Sequence, residues 1–316
     1  MTGEATVVKN AGSHYMLSML PDWNPFPAVL KGRIRLKSND STNPVAVGDH
    51  VLFETGAETP GEVTLENPAL ITEILDRKNF VVRKSTNLSR QSHVIAANID
   101  MAFAVVSLYF PEIKLPFLDR MLVTCEVYGV PVTIVMNKVD LYRNEAPEAV
   151  QNFIDIYTGA GYRVVQASAK TGEGIEELRD ICDGNVCLFS GESGVGKSSL
   201  IKALDPSLDP KIGKISVAHL QGKHTTSLYE MYRLASGGAV IDTPGLRGFG
   251  LVNLEKEEIA RYFPEMLKAA ENCRFTPCTH THEPGCAVKE AVDNGEISPE
   301  RYSSYLGMIE EDKKFR

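Results

Sequence analysis

The chain has 316 residues, with 43% hydrophobic and 23% charged residues and a formal net charge of -8. This length predicts two or three domains, and no apolar run approaches the roughly 18 residues that a membrane span needs. The acidic balance argues against wholesale nonspecific nucleic-acid binding, and residues 1–10 lack the basic-then-apolar pattern of a signal peptide. We therefore expect a cytoplasmic location.

Short β segments broken by turn residues are predicted in the first quarter of the chain. They cover residues 28–36, 44–53, 61–65 and 69–75, with a turn at Gly48 and Asp49. This spacing predicts a small β-barrel.

Basic residues are concentrated in and after this region. Four of them alternate along the first segment, and five more cluster before the next domain: Lys31, Arg33, Arg35 and Lys37, then Arg77, Lys78, Arg83, Lys84 and Arg90. Such runs are more often solvated faces than binding sites, but they leave local RNA binding open. We interpret the stretch up to Arg90 as a connection to the next domain.

From Met101 onward, apolar strand segments alternate with amphipathic helical segments, a pattern typical of a parallel sheet covered by helices. Strands are predicted at 101–108, 132–136, 163–167, 186–190 and 239–241, and helices at 118–128, 148–158, 175–182 and 197–204. Residues 226–235 are a candidate antiparallel edge strand. After residue 250 the pattern becomes helical, at 255–262 and from about 299 to 313.

An Asn-Lys-x-Asp motif follows the predicted strand 132–136. It consists of Asn137, Lys138, Val139 and Asp140. The Asp140 carboxylate can accept two hydrogen bonds from the N1–H and 2-amino groups of guanine, a donor pair that adenine lacks. Asn137 is expected to brace the loop, and the Lys138 stem to cover the base. The next strand ends in Ser168, Ala169 and Lys170, whose backbone can meet the base oxygen.

A phosphate-binding loop lies between the predicted strand 186–190 and the helix that follows it. Its residues are Gly191, Glu192, Ser193, Gly194, Val195, Gly196, Lys197 and Ser198, and Ser199 continues into the helix. The glycines let backbone N–H groups wrap phosphates at a helix N-terminus. Lys197 offers a cation to the β- and γ-phosphates, and the Ser198 hydroxyl can coordinate Mg²⁺.

Two later segments are expected to sense the γ-phosphate. Asp242 ends a strand at the same site and can hold Mg²⁺ through water, while the Gly245 N–H can contact the phosphate. Residues 222–226 resemble a mobile switch loop whose threonine completes the Mg²⁺ shell in the triphosphate state. Thr226 is the first choice for that ligand, Thr225 is the alternative, and a plain strand entry is the competing interpretation.

The order of these motifs is unusual, because the guanine half at residues 101–182 precedes the phosphate half at residues 186–250. Ordinary GTPases place the phosphate loop first, so the sequence predicts a circular permutant. All motifs still fall at strand ends, where an open α/β sheet gathers its ligand. The permutation joins the segment from Asp242 to Gly250 directly to the C-terminal region. The state of the bound nucleotide can then pull on that region.

A cysteine and histidine cluster lies near the C-terminus in the pattern C-x4-C-x-H-x5-C. Its members are Cys273, Cys278, His280 and Cys286. Four such ligands suit a closed tetrahedral site for structural Zn²⁺. His282 is an alternative to His280 by spacing alone, and a set of free buried thiols is the other interpretation.

A β-barrel, a permuted GTPase domain and a Cys/His cluster together resemble the circularly permuted ribosome small-subunit-dependent GTPase A family of bacteria. The segments 47–49, 95–100 and 222–226 also match. The resemblance implies an OB-fold barrel that binds RNA at 1–78, the GTPase domain at 79–250 and a mainly helical zinc domain at 251–316. It further implies a monomer that acts in late maturation of the small ribosomal subunit through ribosomal RNA contacts, and it supports the same four zinc ligands.

Hydrolysis is expected to be slow without a partner, because Leu246 stands where many GTPases place a water-orienting glutamine. His224 is the candidate for a substituting polar group, with a loop or RNA contact as the alternative role. The leading hypothesis is a GTPase stimulated by the small subunit. The alternatives are an RNA-binding module that GTP merely orders and, least favoured, an ATP-dependent kinase in which Asp140 is idle.

Overall fold

A computed structural model of the chain describes residues 1–32, 44–84, 92–208, 229–242 and 254–314. Helices and strands are numbered below in chain order within this part of the chain.

The N-terminal strands form a closed five-stranded barrel. They are β1 (Thr2–Ala11), β2 (His14–Ser18), β3 (Phe26–Leu30), β4 (His50–Glu54) and β5 (Ala69–Ile74). Neighbours pair antiparallel except β3 with β5, and β4 pairs back onto β1 to close the barrel. Inward residues such as Leu17, Phe53 and Ile71 fill its core.

The barrel confirms the predicted fold but corrects its details. It begins at Thr2, so β1 and β2 precede the first predicted segment. The strand expected at 61–65 is wrong: a short 3-10 turn occupies Pro60–Glu62, and Leu65 is 74% exposed. Proline lacks an amide N–H and fixes its φ, which suits a turn better than a sheet interior.

Two further strands lie where only a connection was expected. Strands β6 (Phe80–Lys84) and β7 (Ser92–Ala97) pair antiparallel as a separate two-stranded sheet. The predicted basic cluster is also partly neutralised here, because Arg77 pairs with Asp49 and Lys78 with Asp100.

The second domain is built on a parallel sheet. Its strands are β8 (Met101–Val106), β9 (Val132–Met136), β10 (Arg163–Gln166), β11 (Val186–Ser190) and β13 (Ala239–Asp242), in the order β10-β9-β8-β11-β13. Helices α1 (Leu115–Val127) and α2 (Pro147–Gly159) contribute to the core on one face. Helices α3 (Ile175–Cys182) and α4 (Lys197–Leu204) contribute to the core on the other face.

Strand β12 (Tyr229–Arg233) pairs antiparallel with β13, as predicted, but it is not an edge strand. Its other side pairs with β1 of the barrel, where Lys9 lies opposite Glu230 and Asn10 opposite Tyr229. The barrel and the α/β domain therefore share one 11-stranded sheet.

The C-terminal region is helical and packs on the α/β domain. It contains α5 (Lys256–Ile259), a 3-10 turn at Ala260–Tyr262, α6 (Pro264–Ala270), α7 (Ala287–Asp293) and α8 (Pro299–Lys314). Its core, formed by residues such as Phe263 and Tyr305, includes Val123 of α1. The region thus docks on the guanine half of the domain. Among the described helices, none combines the length and the apolar character needed to cross a membrane.

Candidate guanine-nucleotide and zinc sites

The predicted phosphate loop lies at the carboxyl end of β11, and α4 begins at Lys197. Gly196 has a φ of +99°, and a Cβ there would collide with the side-chain amide of Asn137. The position accepts only glycine without strain, because a left-handed backbone and a close neighbour coincide. The loop therefore has the tight backbone turn that a phosphate cradle requires.

Lys197 is almost fully buried, at 7% exposure, and its ammonium lies inside the loop. The Nζ atom donates to the carbonyl oxygens of Gly191 at 2.8 Å and Glu192 at 2.9 Å. Burial lowers the pKa of Lys197, and the Asp242 and Glu192 carboxylates oppose that shift. A phosphate at the loop would find this cation already in position.

Asp242 ends β13 beside the loop, at the register position of Phe189 on β11. Burial raises the pKa of its carboxyl, and Lys197 opposes the rise. Its Oδ1 atom is buried and has no hydrogen-bond partner within the described part of the chain. A buried acceptor without a partner is costly, so this oxygen fits a ligand such as water bound to Mg²⁺.

Asn137 connects the phosphate loop to the base-reading segments. Its Nδ2 atom donates to the Val195 carbonyl at 2.8 Å, and its Oδ1 accepts from the Ala169 amide at 3.3 Å. The residue is 1% exposed, and the Tyr142 hydroxyl donates to its carbonyl. The expected bracing role corresponds to these contacts.

Lys138 and Asp140 both line a cavity of about 330 Å³. The Lys138 Nζ donates to the carbonyls of Gly194 at 2.7 Å and Phe110 at 2.5 Å. Asp140 is exposed, and its Oδ1 accepts from the Ser168 hydroxyl at 2.7 Å. The cavity is lined by Asn137, Lys138, Asp140, Leu141, Ser168, Ala169, Lys170, Gly196 and Ser199.

The four predicted zinc ligands come together in the C-terminal region, with their ligand atoms within 4.8 Å of one another. The His280 Nδ1 lies 3.4 Å from the Cys286 Sγ and 3.6 Å from the Cys273 Sγ. Such spacings fit ligands about 2.0–2.3 Å from one Zn²⁺. Burial lowers the pKa of His280, which favours the neutral imidazole that a metal ligand requires. The group can therefore hold a structural zinc ion.

The alternative ligand His282 lies outside this group. It is exposed, and its Nδ1 is within hydrogen-bond distance of the Thr281 hydroxyl at 2.9 Å. Tyr302 and Tyr305 of α8 donate to the carbonyls of His280 and Thr279, so the helix supports the loop that carries His280.

Comparison with known proteins identifies the family. A family model described as RsgA GTPase matches residues 74–252. The chain belongs to the RsgA GTPase family. The predicted family and enzyme class, a GTPase, are thereby confirmed.

Relatives of this RsgA GTPase extend over nearly the whole chain. The small ribosomal subunit biogenesis GTPase RsgA of Bacteroides fragilis is 46% identical over 312 residues, which cover 98% of both chains. The crystal structure of YjeQ from Thermotoga maritima matches with a TM-score of 0.77 and 32% identity over 98% of both chains. That of YloQ, described as a circularly permuted GTPase, matches with a TM-score of 0.72 and 27% identity, covering 100% of this chain and 96% of that one. The predicted permutation and three-part fold class are confirmed.

Several predicted residues of this RsgA GTPase fall outside the described part of the chain. They are His224, Thr225, Thr226, Gly245 and Leu246. Their assignments stay predictions, as does the expected pull of the segment from Asp242 to Gly250 on the C-terminal region, since residues 243–250 also lie outside the described part.

Sequence reasoning missed two contributors to the nucleotide site. The Phe110 carbonyl holds Lys138, and Lys114 forms an ion pair with Glu192 of the phosphate loop at 3.1 Å. Both residues belong to the loop at 107–114, which has no recognisable motif. Every residue has a backbone carbonyl, so the sequence cannot show that the one at Phe110 accepts this hydrogen bond, and only the fold could identify it.

Proposed function

We propose that this GTPase acts in late maturation of the small ribosomal subunit, binding that subunit and its rRNA in the GTP state and leaving after hydrolysis. The observation that carries the proposal is the base-reading cavity built against the phosphate loop through Asn137. The name of the Bacteroides fragilis relative, small ribosomal subunit biogenesis GTPase, supports the choice of partner.

In this proposal, Asp140 selects guanine, and Lys138 and residues 168–170 complete the base pocket. Lys197 binds the β- and γ-phosphates, and Gly245 senses the γ-phosphate. Ser198, Thr226 and Asp242 hold Mg²⁺, which neutralises charge that develops on the phosphates during hydrolysis. The Asp242 Oδ1 has no hydrogen-bond partner among the described residues, which supports its part in this set.

Water activation is assigned to His224, since Leu246 has no group that could orient a nucleophile. Slow intrinsic turnover then follows, and contact with the small subunit orders the switch residues and accelerates it. Replacing His224 by alanine tests this role, because unchanged turnover in the presence of small subunits would remove it.

The proposed organisation keeps the barrel at 1–78 as an RNA-binding OB-fold, the GTPase domain at 79–250 and the zinc domain at 251–316. Cys273, Cys278, His280 and Cys286 bind the zinc ion. We further assign a monomeric state and a cytoplasmic location, which suit a factor that visits ribosomal subunits one at a time.

The deciding experiment is multiple-turnover phosphate release from GTP with purified small subunits, with large subunits, or with neither. We expect stimulation by small subunits alone. Equal slow rates in all three reactions would instead favour a module whose RNA-binding surface is ordered by GTP, the alternative that Leu246 keeps open.

A further inference from the structure

A buried ion pair joins the C-terminal region to the GTPase domain. The Arg301 Nη1 of α8 donates to the Asp119 Oδ1 of α1 at 2.7 Å, and the two side chains are 1% and 0% exposed. The Tyr157 hydroxyl donates to the same oxygen at 2.9 Å. The other edge of the Arg301 guanidinium donates to the carboxylate of Glu265 in α6. The centroid of the Phe263 ring lies 4.6 Å from the Arg301 Cζ atom. Because loss of Arg301 would leave the buried Asp119 carboxylate without its charge partner, this contact holds α1 firmly.

Asp119 is close to the end of α1 that meets the nucleotide site. It is the fifth residue of the helix, so it lies within about one and a half turns of the helix start. The loop that enters this helix, residues 107–114, contacts both motifs: the Phe110 carbonyl accepts from Lys138, and Lys114 pairs with Glu192.

The loop conformation depends on support from its surroundings. Phe110 has a φ of +60°, a left-handed conformation that is unfavourable for a residue with a bulky side chain. The residue is 69% exposed, so its side chain contributes little packing. Strained backbone of this kind persists only where neighbouring structure fixes it, and α1 provides that fixed end.

We propose that Asp119 and Arg301 are positioning residues for guanine-nucleotide binding: they fix the start of α1, and α1 holds the loop at 107–114 against Lys138 and the phosphate loop. The inference rests on the proposed nucleotide site. The Asp119–Arg301 pair thus couples the C-terminal domain to the nucleotide site through side chains, in addition to the direct chain connection at 243–253.

The test measures dissociation of a fluorescent GDP analogue from the full-length chain by stopped flow. Variants Asp119→Asn and Arg301→Gln are compared at a temperature where circular dichroism shows them folded. Mutations along a coupled network change binding by about 0.5–2 kcal/mol, so we expect dissociation to be roughly two- to thirtyfold faster. The double variant should be no faster than the single ones, because the two residues act as one pair.

A variant with little effect on folding separates positioning from stability. Lys114 is 71% exposed at its side chain, so Lys114→Ala should speed GDP dissociation without changing the melting temperature. The matched control is Arg163→Gln, which breaks the exposed pair with Glu177 and should leave the rate unchanged.

If the Asp119 or Arg301 variants do not fold, Tyr157→Phe removes one hydrogen bond to Asp119 and takes their place. Unchanged dissociation in both Tyr157→Phe and Lys114→Ala would overturn the inference. Failure of the wild-type chain to bind GDP would instead refute the proposed nucleotide site, so the two failures are distinguishable.

Discussion

Asn137 of the base-reading motif donates a hydrogen bond to the carbonyl of Val195 in the phosphate loop, at 2.8 Å. The same amide group accepts from the Ala169 backbone, so one buried side chain ties three loops together. These loops come from both halves of the permuted domain. The sheet places these loops at the same edge whatever their order along the chain, so they can form one site in a permuted domain as well as in an ordinary one.

Asn137→Ala should therefore weaken both base and phosphate binding. Removing a buried partner leaves the Val195 carbonyl and the Ala169 amide unsatisfied, at about 1–3 kcal/mol. The expected result is roughly a 5- to 150-fold loss in affinity for GDP, measured by fluorescence titration. Asn152→Ala, an exposed asparagine on α2, is the control and should bind normally. Normal affinity in Asn137→Ala would show that the three loops are held by other contacts.

Asp140→Asn should change base preference rather than abolish binding. Its carboxylate lies at the cavity and can accept from both guanine donors, whereas a carboxamide offers one acceptor and one donor. That pattern matches xanthine, which has a carbonyl in place of the 2-amino group. We expect GDP affinity to fall at least about a hundredfold, because one hydrogen bond to a charged group is lost, the other loses its charge, and the carboxamide N–H group then faces the 2-amino donor of guanine. Competition titrations with GDP, XDP and ADP measure the change, and a gain for ADP would contradict the assigned role.

The local patterns predicted the GTPase core well. Strands β9 and β11 have the predicted bounds, because each is an apolar run that ends in a polar motif, and helices α3 and α4 also have the predicted bounds. The long-range pairings were not predictable in this way. Nothing near Glu230 indicates that Lys9 will lie opposite it, so β12 was expected at an edge.

The barrel shows a second limit of sequence reasoning. Strand β1 pairs with β2, β4 and β12 over different parts of its length, so its residues have different surroundings. Polar and apolar residues are therefore mixed along it. Such a strand lacks a clean period of two. The Arg301–Asp119 pair is similar, since its partners are far apart in sequence and each looks like an ordinary surface residue.

Zinc binding should depend on Glu283, which binds no metal itself. Its carboxylate accepts from the Thr279 amide and hydroxyl and from the Thr281 amide, at 2.6–3.1 Å, and so fixes the loop that carries His280. His280 has a left-handed φ of +55°, which this support stabilises. We expect Glu283→Gln to lower zinc affinity roughly 10- to 100-fold, as loss of supporting groups does at other metal sites.

Competition with a chromophoric chelator measures this affinity, and Glu290→Gln on the exposed face of α7 is the control. Chelation should also expose residues 264–314 to limited proteolysis, because metal binding stabilises a small domain of this kind. GDP binding should survive chelation in weakened form. Unchanged zinc affinity in Glu283→Gln would contradict this role and would mean that Tyr302 and Tyr305 suffice to hold the loop.

Asp205 links the end of α4 to the turn after β12, and this link should make stability depend on pH. Its carboxylate accepts from the Ser207 amide and hydroxyl and from the Ala235 amide at 2.8 Å. The Ser207 hydroxyl is the main cause that lowers the pKa of Asp205 below its usual 3.8. A lowered pKa means that the stabilisation is fully present above about pH 4–5 and is lost as the pH falls through the folded-state pKa. We expect Asp205→Asn to reduce the free energy of unfolding by about 1 kcal/mol at pH 7, and the difference from the wild type to shrink towards pH 3. Urea unfolding across this pH range measures the difference in the free energy of unfolding. The control is Asp155→Asn, at an exposed position of α2. A difference that stays constant down to pH 3 would contradict the assignment.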